Sequence, residues 1–289
     1  MKKYAKSKEA KTFLSIPIIT ENSKMQFLKD LRKSYYVFMS TSKGYATSKV
    51  LSTWRENGLR RIDLTFKDGT ECSNVPLGAA WSMISYYYWS HKLQSYNIQD
   101  LNDLKDIGLY IYKKIEETYD HWPKGGWGMQ GTHGILYALI RRYKPEHLIE
   151  TGIAHGYSAT VILSAMKKNN MGTLTSVDNS DVIRFFGKEK DIGWLVPDEL
   201  RSNWEIKIGL TKDVLPKLNS EFDAFYHDSD HSETNMLFEF RWADEHLKPN
   251  GLMISDDIDL NRAWKIFNQQ HRNYKNIIKS ATTGVSIKN

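Results

Sequence analysis

Acidic residues and histidines gather in two short segments in the second half of the chain. The first is His227-Asp228-Ser229-Asp230-His231, and the second is the pair Asp256-Asp257. Carboxylates packed side by side repel one another unless a cation or a proton compensates their charge. Their hard oxygen atoms suit Mg²⁺ better than zinc, with Mn²⁺ or Ca²⁺ as alternatives. The pattern predicts a divalent-metal site, with capping of helices and turns by the Asp residues as the structural alternative.

A glycine-rich segment is the second candidate site. It reads Glu150-Thr-Gly152-Ile-Ala154-His-Gly156-Tyr-Ser158 and lies between a short apolar run and a helical pattern. Glycines permit a tight turn and close approach of the backbone to a ligand, and the following helix offers free N–H groups. Asp178 ends the next apolar run, 28 residues beyond Glu150, where its carboxylate is placed to accept hydrogen bonds from ribose hydroxyls. The glycine spacing does not fit the G-x-G-x-x-G pattern of dinucleotide-binding proteins.

The elements that must position these residues alternate between strands and helices. Strands are predicted at residues 147–152, 172–178, 204–208, 222–226, 251–255, 274–279 and 284–288. Helices are predicted at residues 133–143, 158–168, 211–218, 233–246 and 260–271, with a helical or irregular segment at 181–202. This order predicts an α/β fold with a doubly wound, seven-stranded, mostly parallel sheet that ends in an antiparallel pair. Ligands bind at the carboxyl ends of such strands, where both candidate sites lie.

The first 125 residues are predicted to form a mainly helical accessory region. The patterns predict a frayed tail at residues 1–10, an amphipathic helix at 21–39, a small β element at 61–70, an aromatic segment at 77–96 and a helix at 101–119. The segment Trp122-Pro-Lys-Gly-Gly-Trp-Gly128 is typical of a loop. We therefore place the domain boundary between residues 1–125 and residues 126–289.

Composition excludes several classes of protein. The chain has 289 residues, of which 40% are hydrophobic and 26% charged, as expected for a folded globular protein rather than a disordered one. It contains no run of about 18 apolar residues, the length that a transmembrane helix requires. Cys72 is the only cysteine, which excludes an internal disulfide framework and a zinc–thiolate site. Because the N-terminal residues lack a signal-peptide pattern, we expect a reducing, cytoplasmic location.

The net charge of +6 is unevenly distributed along the chain. Residues 1–71 contain 15 Lys and Arg against 7 Asp and Glu, whereas the remaining 218 residues contain 25 against 27. The basic excess therefore belongs to the accessory region. Such asymmetry leaves open a solvated basic arm, a phosphorylated or lipid-linked acceptor, a membrane surface or a partner subunit. The aromatic accessory region also favours contact with a second copy of the chain in a homo-oligomer.

The glycine-rich segment resembles motif I of class I S-adenosylmethionine (SAM)-dependent methyltransferases, which have a Rossmann-like fold. The resemblance depends on the G-x-A-x-G spacing and on the acid two residues before the first glycine. With Lys144-Pro145, Asp228-x-Asp230-His231 and Asp256-Asp257, the chain resembles the cephalosporin hydroxylase-like and macrolide-sugar O-methyltransferase branch over about residues 126–270. It departs from these patterns at Ala154 and at Ser229, where glycine is usual.

This resemblance implies SAM and Mg²⁺ or Mn²⁺ as cofactors and a hydroxyl of a sugar, a glycan or a glycosylated small molecule as the methyl acceptor. The cofactor-binding residues that it implies are Gln130, Glu150, Gly152, Ala154, Gly156, Ser158 and Asp178. Among these, Glu150 and Gly152 correspond to residues near the methionine part of SAM, and Asp178 corresponds to the ribose-binding acid. The metal ligands that it implies are Asp228, Asp256 and Asp257, with Asp228 and His231 as catalytic residues and His231 as the general base.

A metal beside a histidine has a chemical purpose in such an enzyme. Methyl transfer from a sulfonium to oxygen is an in-line displacement, and a protonated hydroxyl is a poor nucleophile. Coordination lowers the pKa of the hydroxyl and fixes its position, while a neighbouring base takes the proton. His231 is the candidate base because histidine titrates near neutral pH.

Two functions of other classes stay open at this level. The basic residues 1–71 are compatible with a nucleic-acid-binding or RNA-modifying protein, but the sequence has no RRM, KH or Asn-Pro-Pro-Tyr-like signature. A nucleotide-dependent oxidoreductase is the other alternative, which the glycine spacing and the acidic segments both disfavour. We therefore expect no nucleic acid among the partners.

Overall fold

The computed structural model describes residues 48–56, 59–119 and 128–289. The predicted tail at residues 1–10, the amphipathic helix at 21–39 and the loop residues 122–127 lie outside the described residues. Within the described ranges, no helix is long and apolar enough to cross a lipid bilayer.

The accessory region contains a small antiparallel sheet followed by two helices. Its strands are β1 (Ser48–Glu56), β2 (Leu59–Phe66) and β3 (Glu71–Pro76), and its helices are α1 (Leu77–Lys92) and α2 (Ile98–Thr118). The Asp-Gly step closes the hairpin between β2 and β3, where the N–H of Phe66 donates to the carbonyl of Thr70 at 2.8 Å. The small β element that the alternating pattern predicts is therefore confirmed.

The following domain alternates strands with helices, as the sequence predicts. In chain order its elements are α3 (Gly131–Tyr143), β4 (His147–Thr151), α4 (Tyr157–Asn169), β5 (Thr173–Asp178), β6 (Val182–Phe185), β7 (Lys188–Asp191), β8 (Trp204–Ile208), α5 (Thr211–Val214), β9 (Phe222–His227), α6 (Glu233–His246), β10 (Leu247–Ser255), α7 (Ala263–Gln270), β11 (Tyr274–Lys279) and β12 (Gly284–Lys288). Seven strands form one sheet in the order β11-β12-β10-β9-β4-β5-β8. The five strands from β10 to β8 run parallel, and β12 runs antiparallel to β10 and β11. The predicted doubly wound fold is confirmed.

The segment between β5 and β8 differs from the sequence prediction. Instead of a helical or irregular segment, it contains the antiparallel hairpin of β6 and β7, followed by a 3₁₀ helix at Asp198–Asn203. Phe186 and Gly187 form the two-residue turn of this hairpin, with φ values of 47° and 73°. Such turns are usually marked by Asn-Gly or Asp-Gly, and this segment lacks that signal.

Two hydrophobic layers cover the faces of the seven-stranded sheet. Strand alternation directs Leu148 and Tyr226 into a layer shared with α3, α4 and the accessory region. Ile149 and Phe225 point the other way, into a layer that also contains residues of α6 and α7. Both faces are therefore covered by helices, as a parallel sheet requires.

The accessory region shares its hydrophobic core with the sheet domain. Helix α1 lies so close to α3 that a Cβ on Gly134 would be 1.9 Å from the carbonyl oxygen of Ser82. Tyr86 and Tyr87, from the aromatic segment, are buried in this shared core. One hydrophobic cluster includes residues from both sides of position 125. The domain boundary at this position stays a prediction.

Candidate active site

The glycine-rich segment and both acidic segments lie at the carboxyl ends of three neighbouring parallel strands. The glycine turn, residues 152–156, follows β4, the acidic segment 228–231 follows β9, and Asp256-Asp257 follow β10. Parallel strands bring these ends to one edge of the sheet, where open α/β sheets bind their ligands. The structure therefore places the two predicted sites side by side.

The glycine turn touches the backbone of the acidic segment at Gly152. This residue has a φ of 87°, and a Cβ on it would lie 2.0 Å from the carbonyl oxygen of Asp228. The N–H of Asp228 donates in turn to the carbonyl of Thr151 at 2.9 Å. A side chain at position 152 would have to displace this backbone, so only glycine permits the approach of the two segments.

Asp178, the predicted ribose-binding residue, supports the glycine turn from β5. Its Oδ2 accepts hydrogen bonds from the N–H of Ile153 at 2.7 Å and from the N–H of Ala154 at 3.2 Å. Ala154 and Gly156 both have positive φ values, 47° and 87°, so the carboxylate stabilises a turn that side chains rarely adopt. The contact between Asp178 and a ribose stays a prediction.

The segment after the β6–β7 hairpin holds the other side of the glycine turn. The N–H of Gly193 donates to the carbonyl of Ala154 at 2.9 Å, and the N–H of Leu195 donates to the carbonyl of His155 at 3.1 Å. The indole N–H of Trp194 donates to Nδ1 of His155 at 2.9 Å. Burial lowers the pKa of His155 to about 4, so its ring stays neutral at pH 7. These supports come from residues about 40 positions away, and the sequence reasoning missed them.

Glu150 lies buried beneath the turn, near the end of β4. Its carboxyl group accepts hydrogen bonds from the hydroxyls of Ser158 at 2.5 Å and Ser176 at 2.6 Å. Burial raises the pKa of Glu150 to about 7, because the two hydroxyls lower it by less than the loss of hydration raises it. Glu150 and Ser158 therefore bond to each other inside the protein, and their contact with SAM stays a prediction.

Gln130 is exposed and directly precedes α3. Its backbone N–H donates to Nδ1 of His133 at 2.8 Å, and its carbonyl accepts from the hydroxyl of Ser82 at 2.7 Å. Burial lowers the pKa of His133 to about 4, which keeps its ring neutral and able to accept this bond. The backbone of Gln130 is thus fixed on both sides, and its contact with the cofactor stays a prediction.

The acidic cluster consists of Asp228, Asp256 and Asp257. Oδ2 of Asp228 accepts from the hydroxyl of Tyr226 at 3.0 Å, and Oδ1 of Asp256 accepts from the hydroxyl of Thr132 at 2.9 Å. Loss of hydration, followed by the charge of Asp256, raises the pKa of Asp228 well above its usual range. Loss of hydration, followed by the charge of Asp257, raises the pKa of Asp256 to about 6. Burial and the neighbouring carboxylates therefore favour the protonated form of both carboxyl groups.

Asp230 serves a different purpose from its acidic neighbours. It is exposed, and its carboxylate accepts from the N–H of Ser232 at 3.0 Å and from the hydroxyl of Ser232 at 2.9 Å. Ser232 caps α6 by accepting from the N–H of Asn235 at 3.3 Å. The capping alternative therefore applies to Asp230.

His231 lies between two of the clustered carboxylates. Its Nε2 is 3.7 Å from Oδ1 of Asp228 and 3.9 Å from Oδ2 of Asp257, and it is buried without a hydrogen-bond partner among the described residues. Burial, followed by the neighbouring His227, lowers the pKa of His231. At neutral pH its ring is therefore uncharged and able to accept a proton, as a general base requires.

Glu239 is a part of the site that the sequence reasoning missed. It is completely buried on α6, and its carboxylate accepts hydrogen bonds from Thr151 at 2.6 Å, His227 at 2.6 Å, Ser229 at 2.7 Å and Asn235 at 2.8 Å. Burial alone raises its pKa, but the bonds from His227, Thr151 and Ser229 outweigh it, so the pKa of Glu239 is lowered. The sequence does contain one signal for this residue: a charged side chain stands on the apolar face of α6, one turn from Met236 and beside Phe240.

The side chains of this edge fit a divalent cation by their chemistry. Among residues 48–56, 59–119 and 128–289, no group of three or more His, Cys, Asp or Glu residues has a spacing that holds a metal ion as it stands. The acidic cluster nevertheless supplies carboxylate oxygens, and Nε2 of His231 lies beside them without a hydrogen-bond partner in the part of the chain that the structure describes. Carboxylate oxygens of this kind are the ligands of Mg²⁺ and Mn²⁺.

Comparison with known families identifies the class of the domain. Residues 149–258 match the family model described as a methyltransferase domain, a range that contains the glycine turn, Asp178 and both acidic segments. Over these residues the predicted methyltransferase domain is confirmed. No curated protein sequence matches the chain.

Several solved structures resemble the chain in fold. The O-methyltransferase from Bacillus cereus in complex with SAH is 14% identical over 63% of this chain and 90% of that one, with a TM-score of 0.43. TomG from Streptomyces achromogenes, an O-methyltransferase involved in tomaymycin synthesis and bound to SAM, is 15% identical over 62% and 89%, with a TM-score of 0.44. A methyltransferase from Geobacter sulfurreducens is 14% identical over 63% and 88%, with a TM-score of 0.46. Similarity at this level does not extend to the substrates of those proteins.

Proposed function

We propose that the methyltransferase domain of this chain methylates a hydroxyl of a sugar, a glycan or a glycosylated small molecule, using SAM and a divalent cation. One observation carries this proposal. Three clustered carboxyl groups and a neutral imidazole lie at the strand ends beside the glycine turn. A glycine turn serves many nucleotide-like ligands, whereas this combination of groups suits the activation of a hydroxyl.

SAM is proposed to bind at the glycine turn. The turn stands at the carboxyl end of β4 and leads directly into α4, which begins at Tyr157, so the N-terminus of this helix lies at the edge where such sheets bind ligands. Asp178 stands at the end of β5, beside the turn, where the resemblance to class I methyltransferases implies a ribose. Gln130 and Glu150 have their cofactor-binding roles from the same resemblance.

The acidic cluster is proposed to hold Mg²⁺ or Mn²⁺, which would lower the pKa of the acceptor hydroxyl. The protein's own part is to orient the carboxylates. Tyr226 fixes Asp228 from β9, and Thr132 fixes Asp256 from α3. Thr283, from the turn between β11 and β12, donates to the same oxygen of Asp256 at 3.5 Å.

His231 is proposed to take the proton of the acceptor. With SAM bound, the acceptor oxygen would form a bond to the methyl carbon as the carbon–sulfur bond breaks, and SAH would leave. The hydroxyl proton goes to Nε2 of His231, which is neutral at pH 7 because burial lowers its pKa. The carbonyl of His231 accepts from the side-chain amide of Asn261 at 2.7 Å, which holds this residue in place.

Two measurements test the proposal. Isothermal titration calorimetry with SAM is expected to show binding, and absence of binding with and without Mg²⁺ would contradict the cofactor. Mass spectrometry after incubation with SAM and a panel of glycosides is expected to show an acceptor that has gained one methyl group. Asp228→Ala and Asp256→Ala should each abolish turnover while SAM affinity stays within about tenfold of wild type. If both variants still turn over substrate, the proposed cation and its ligands are wrong.

The partners of the accessory region belong to the same proposal. Its basic excess favours a phosphorylated or lipid-linked acceptor, a membrane surface or a second subunit, and a cytoplasmic location is expected. An acidic mouth disfavours a nucleic acid at the site itself, because phosphates and carboxylates repel each other. A salt-sensitive shift of RNA in a mobility assay would instead support the nucleic-acid-binding alternative.

A further inference from the structure

Glu239 is the most extensively bonded carboxylate at this edge of the sheet, and the proposed reaction gives it no role. It has no solvent exposure, and each of its two oxygens accepts two hydrogen bonds. Oε2 accepts from Thr151 and His227, and Oε1 accepts from Ser229 and Asn235. A buried ionised carboxylate is stable only when donors surround it in this way.

The donors to Glu239 flank the two binding segments in sequence. Thr151 directly precedes Gly152 of the glycine turn, while His227 and Ser229 stand on either side of Asp228. The same carboxylate therefore fixes the approach to the cofactor turn and both neighbours of a predicted metal ligand. Because a carboxylate only accepts hydrogen bonds, His227 donates through Nδ1, and its ring is held against that of His231 with 5.2 Å between the centroids.

The two segments are also in direct contact, so a movement of one reaches the other. The carbonyl of Asp228 occupies the space that a Cβ on Gly152 would need, and the N–H of Asp228 bonds to Thr151. Groups in one packed, hydrogen-bonded network respond together rather than one at a time.

We propose that Glu239 is a positioning residue that couples the glycine turn to the acidic segment, so that SAM and the divalent cation bind cooperatively. This inference depends on the function proposed above. A cation held by Asp228 would fix the flanking Ser229 and His227, whose bonds to Glu239 connect them to Thr151, the residue before the turn that would bind SAM. By linkage, SAM must then raise the affinity for the cation by the same factor.

Calorimetric titrations of SAM, with and without Mg²⁺, measure this coupling directly. For the wild-type protein we expect Mg²⁺ to strengthen SAM binding by about 5-fold or more, the lower end of typical coupling between sites. Glu239→Gln keeps the size of the side chain but replaces one carboxylate oxygen by an amide NH₂. This NH₂ is itself a donor, so it cannot accept the two hydrogen bonds that the oxygen accepted. We expect the ratio of the two affinities to fall to about 1 in this variant.

Two single-hydroxyl variants test the coupling without removing the carboxylate. Thr151→Val deletes the donor at the glycine turn, and Ser229→Ala deletes a donor at the acidic segment. If Glu239 couples the sites, each variant weakens binding at the other site: Thr151→Val lowers Mg²⁺ affinity, and Ser229→Ala lowers SAM affinity. A merely local role would confine each effect to its own segment, and that result would overturn the inference even if Glu239→Gln does not fold.

Asp100→Asn is the matched control, because Asp100 is also buried and accepts from the hydroxyl of Tyr86 and from Nε of Arg141. It lies on α2, and none of its bonds reaches the site. This variant should lower the melting temperature and leave the ratio of SAM affinities with and without Mg²⁺ unchanged.

The outcomes separate this inference from the proposed function. A wild-type protein that binds no SAM contradicts the proposed function itself, and one that binds SAM but no Mg²⁺ contradicts its cation. A wild-type protein that binds both, with affinities that are independent of each other, overturns the coupling and leaves the proposed function standing.

Discussion

The glycine turn and the acidic cluster occupy the same edge of one sheet but differ in how their polar groups are satisfied. Around the turn, Asp178 accepts two backbone N–H groups and Glu150 accepts two serine hydroxyls. In the acidic cluster, Asp228 and Asp256 have raised pKa values, and His231 keeps an unpartnered nitrogen. Hydrogen bonds within the protein hold the carboxylates of the first region, whereas the second region brings carboxylates close to one another beside His231.

Two buried glutamates also differ in how their carboxyl groups are satisfied by hydrogen-bond donors. Glu150, with two hydroxyl donors, has its pKa raised to about 7, while Glu239, with four donors, has its pKa lowered. The number and strength of donors therefore decide whether a buried carboxyl is held as an acid or as an anion. The first of the following changes acts where the two regions touch, and each later one alters one region and leaves the other as its reference.

The largest effect is expected from Gly152→Ala, which changes the point where the two regions touch. The new Cβ would lie 2.0 Å from the carbonyl oxygen of Asp228, which would have to move. Alanine would also have to adopt a φ of 87°, which side-chain-bearing residues rarely do. We expect loss of SAM binding and a strongly lowered melting temperature, measured by calorimetry and thermal unfolding. Gly69→Ala is the matched control: its φ is 88° but no atom lies within 4 Å of the added Cβ, so only the backbone cost of about 1 kcal/mol should appear. Equal effects of both substitutions would contradict the contact.

His231→Gln changes only the acidic segment, and we expect the next largest effect from this substitution. Loss of a general base lowers kcat by about 10²- to 10⁴-fold, while SAM affinity stays close to wild type because the glycine turn is unchanged. Single-turnover kinetics and calorimetry measure the two quantities separately. His246→Gln, on the far end of α6 with its ring bonded to the carbonyl of Trp242, is the control and should keep wild-type kcat. A kcat of His231→Gln within twofold of wild type would assign the base elsewhere.

A pH titration of stability tests the glycine-turn side. The pKa of Glu150 is about 7 in the folded protein against 4.5 for a free glutamate, so the folded state keeps its proton over this window. Stability from this group is therefore full below pH 4.5 and falls by about 3 kcal/mol as the pH rises through 7. Urea unfolding at several pH values should show this loss in wild type and a flatter profile in Glu150→Gln. The same slope in both proteins would contradict the assignment.

Ser176→Ala should give the smallest effect. It removes a donor from Glu150 and leaves the indole N–H of Trp204, which donates to Ser176 at 2.9 Å, without its acceptor. We expect a loss of about 1–2 kcal/mol in the free energy of unfolding and weaker SAM binding. Ser286→Ala removes an equally buried hydroxyl from β12, far from the turn, and should lower stability without changing SAM affinity. Weakened SAM binding in both variants would indicate a general effect of stability.

The sequence predicts the sheet well because its strands are marked locally. Helix α6 and strands β11 and β12 have the predicted bounds, since apolar periodicity and flanking polar residues define each of them. The placement of the two candidate sites at one edge follows from the same alternation. The hairpin of β6 and β7 could not be predicted from the sequence, because its turn residues, Phe186-Gly187, are not among the common turn signals.

The supporting residues of the site are not predictable in this way. Glu239 meets Thr151 across 88 residues of sequence, and Thr132 meets Asp256 across 124. Such pairs arise from tertiary packing, and no local pattern in either segment indicates its partner. The glycine turn and the acidic segments carry signals because their marking residues stand within a few positions of one another in the sequence.

The position of β12 between β10 and β11 attaches the last strand pair to the sheet through a single strand. Among the described residues, β11 pairs with β12 alone, and β12 pairs with β10. Thr283 lies in the turn between these two strands and bonds to Thr132 and Asp256. The terminal strand pair therefore also fixes the acidic cluster, so a change that loosens this pair should reach Asp256 as well as the edge of the sheet.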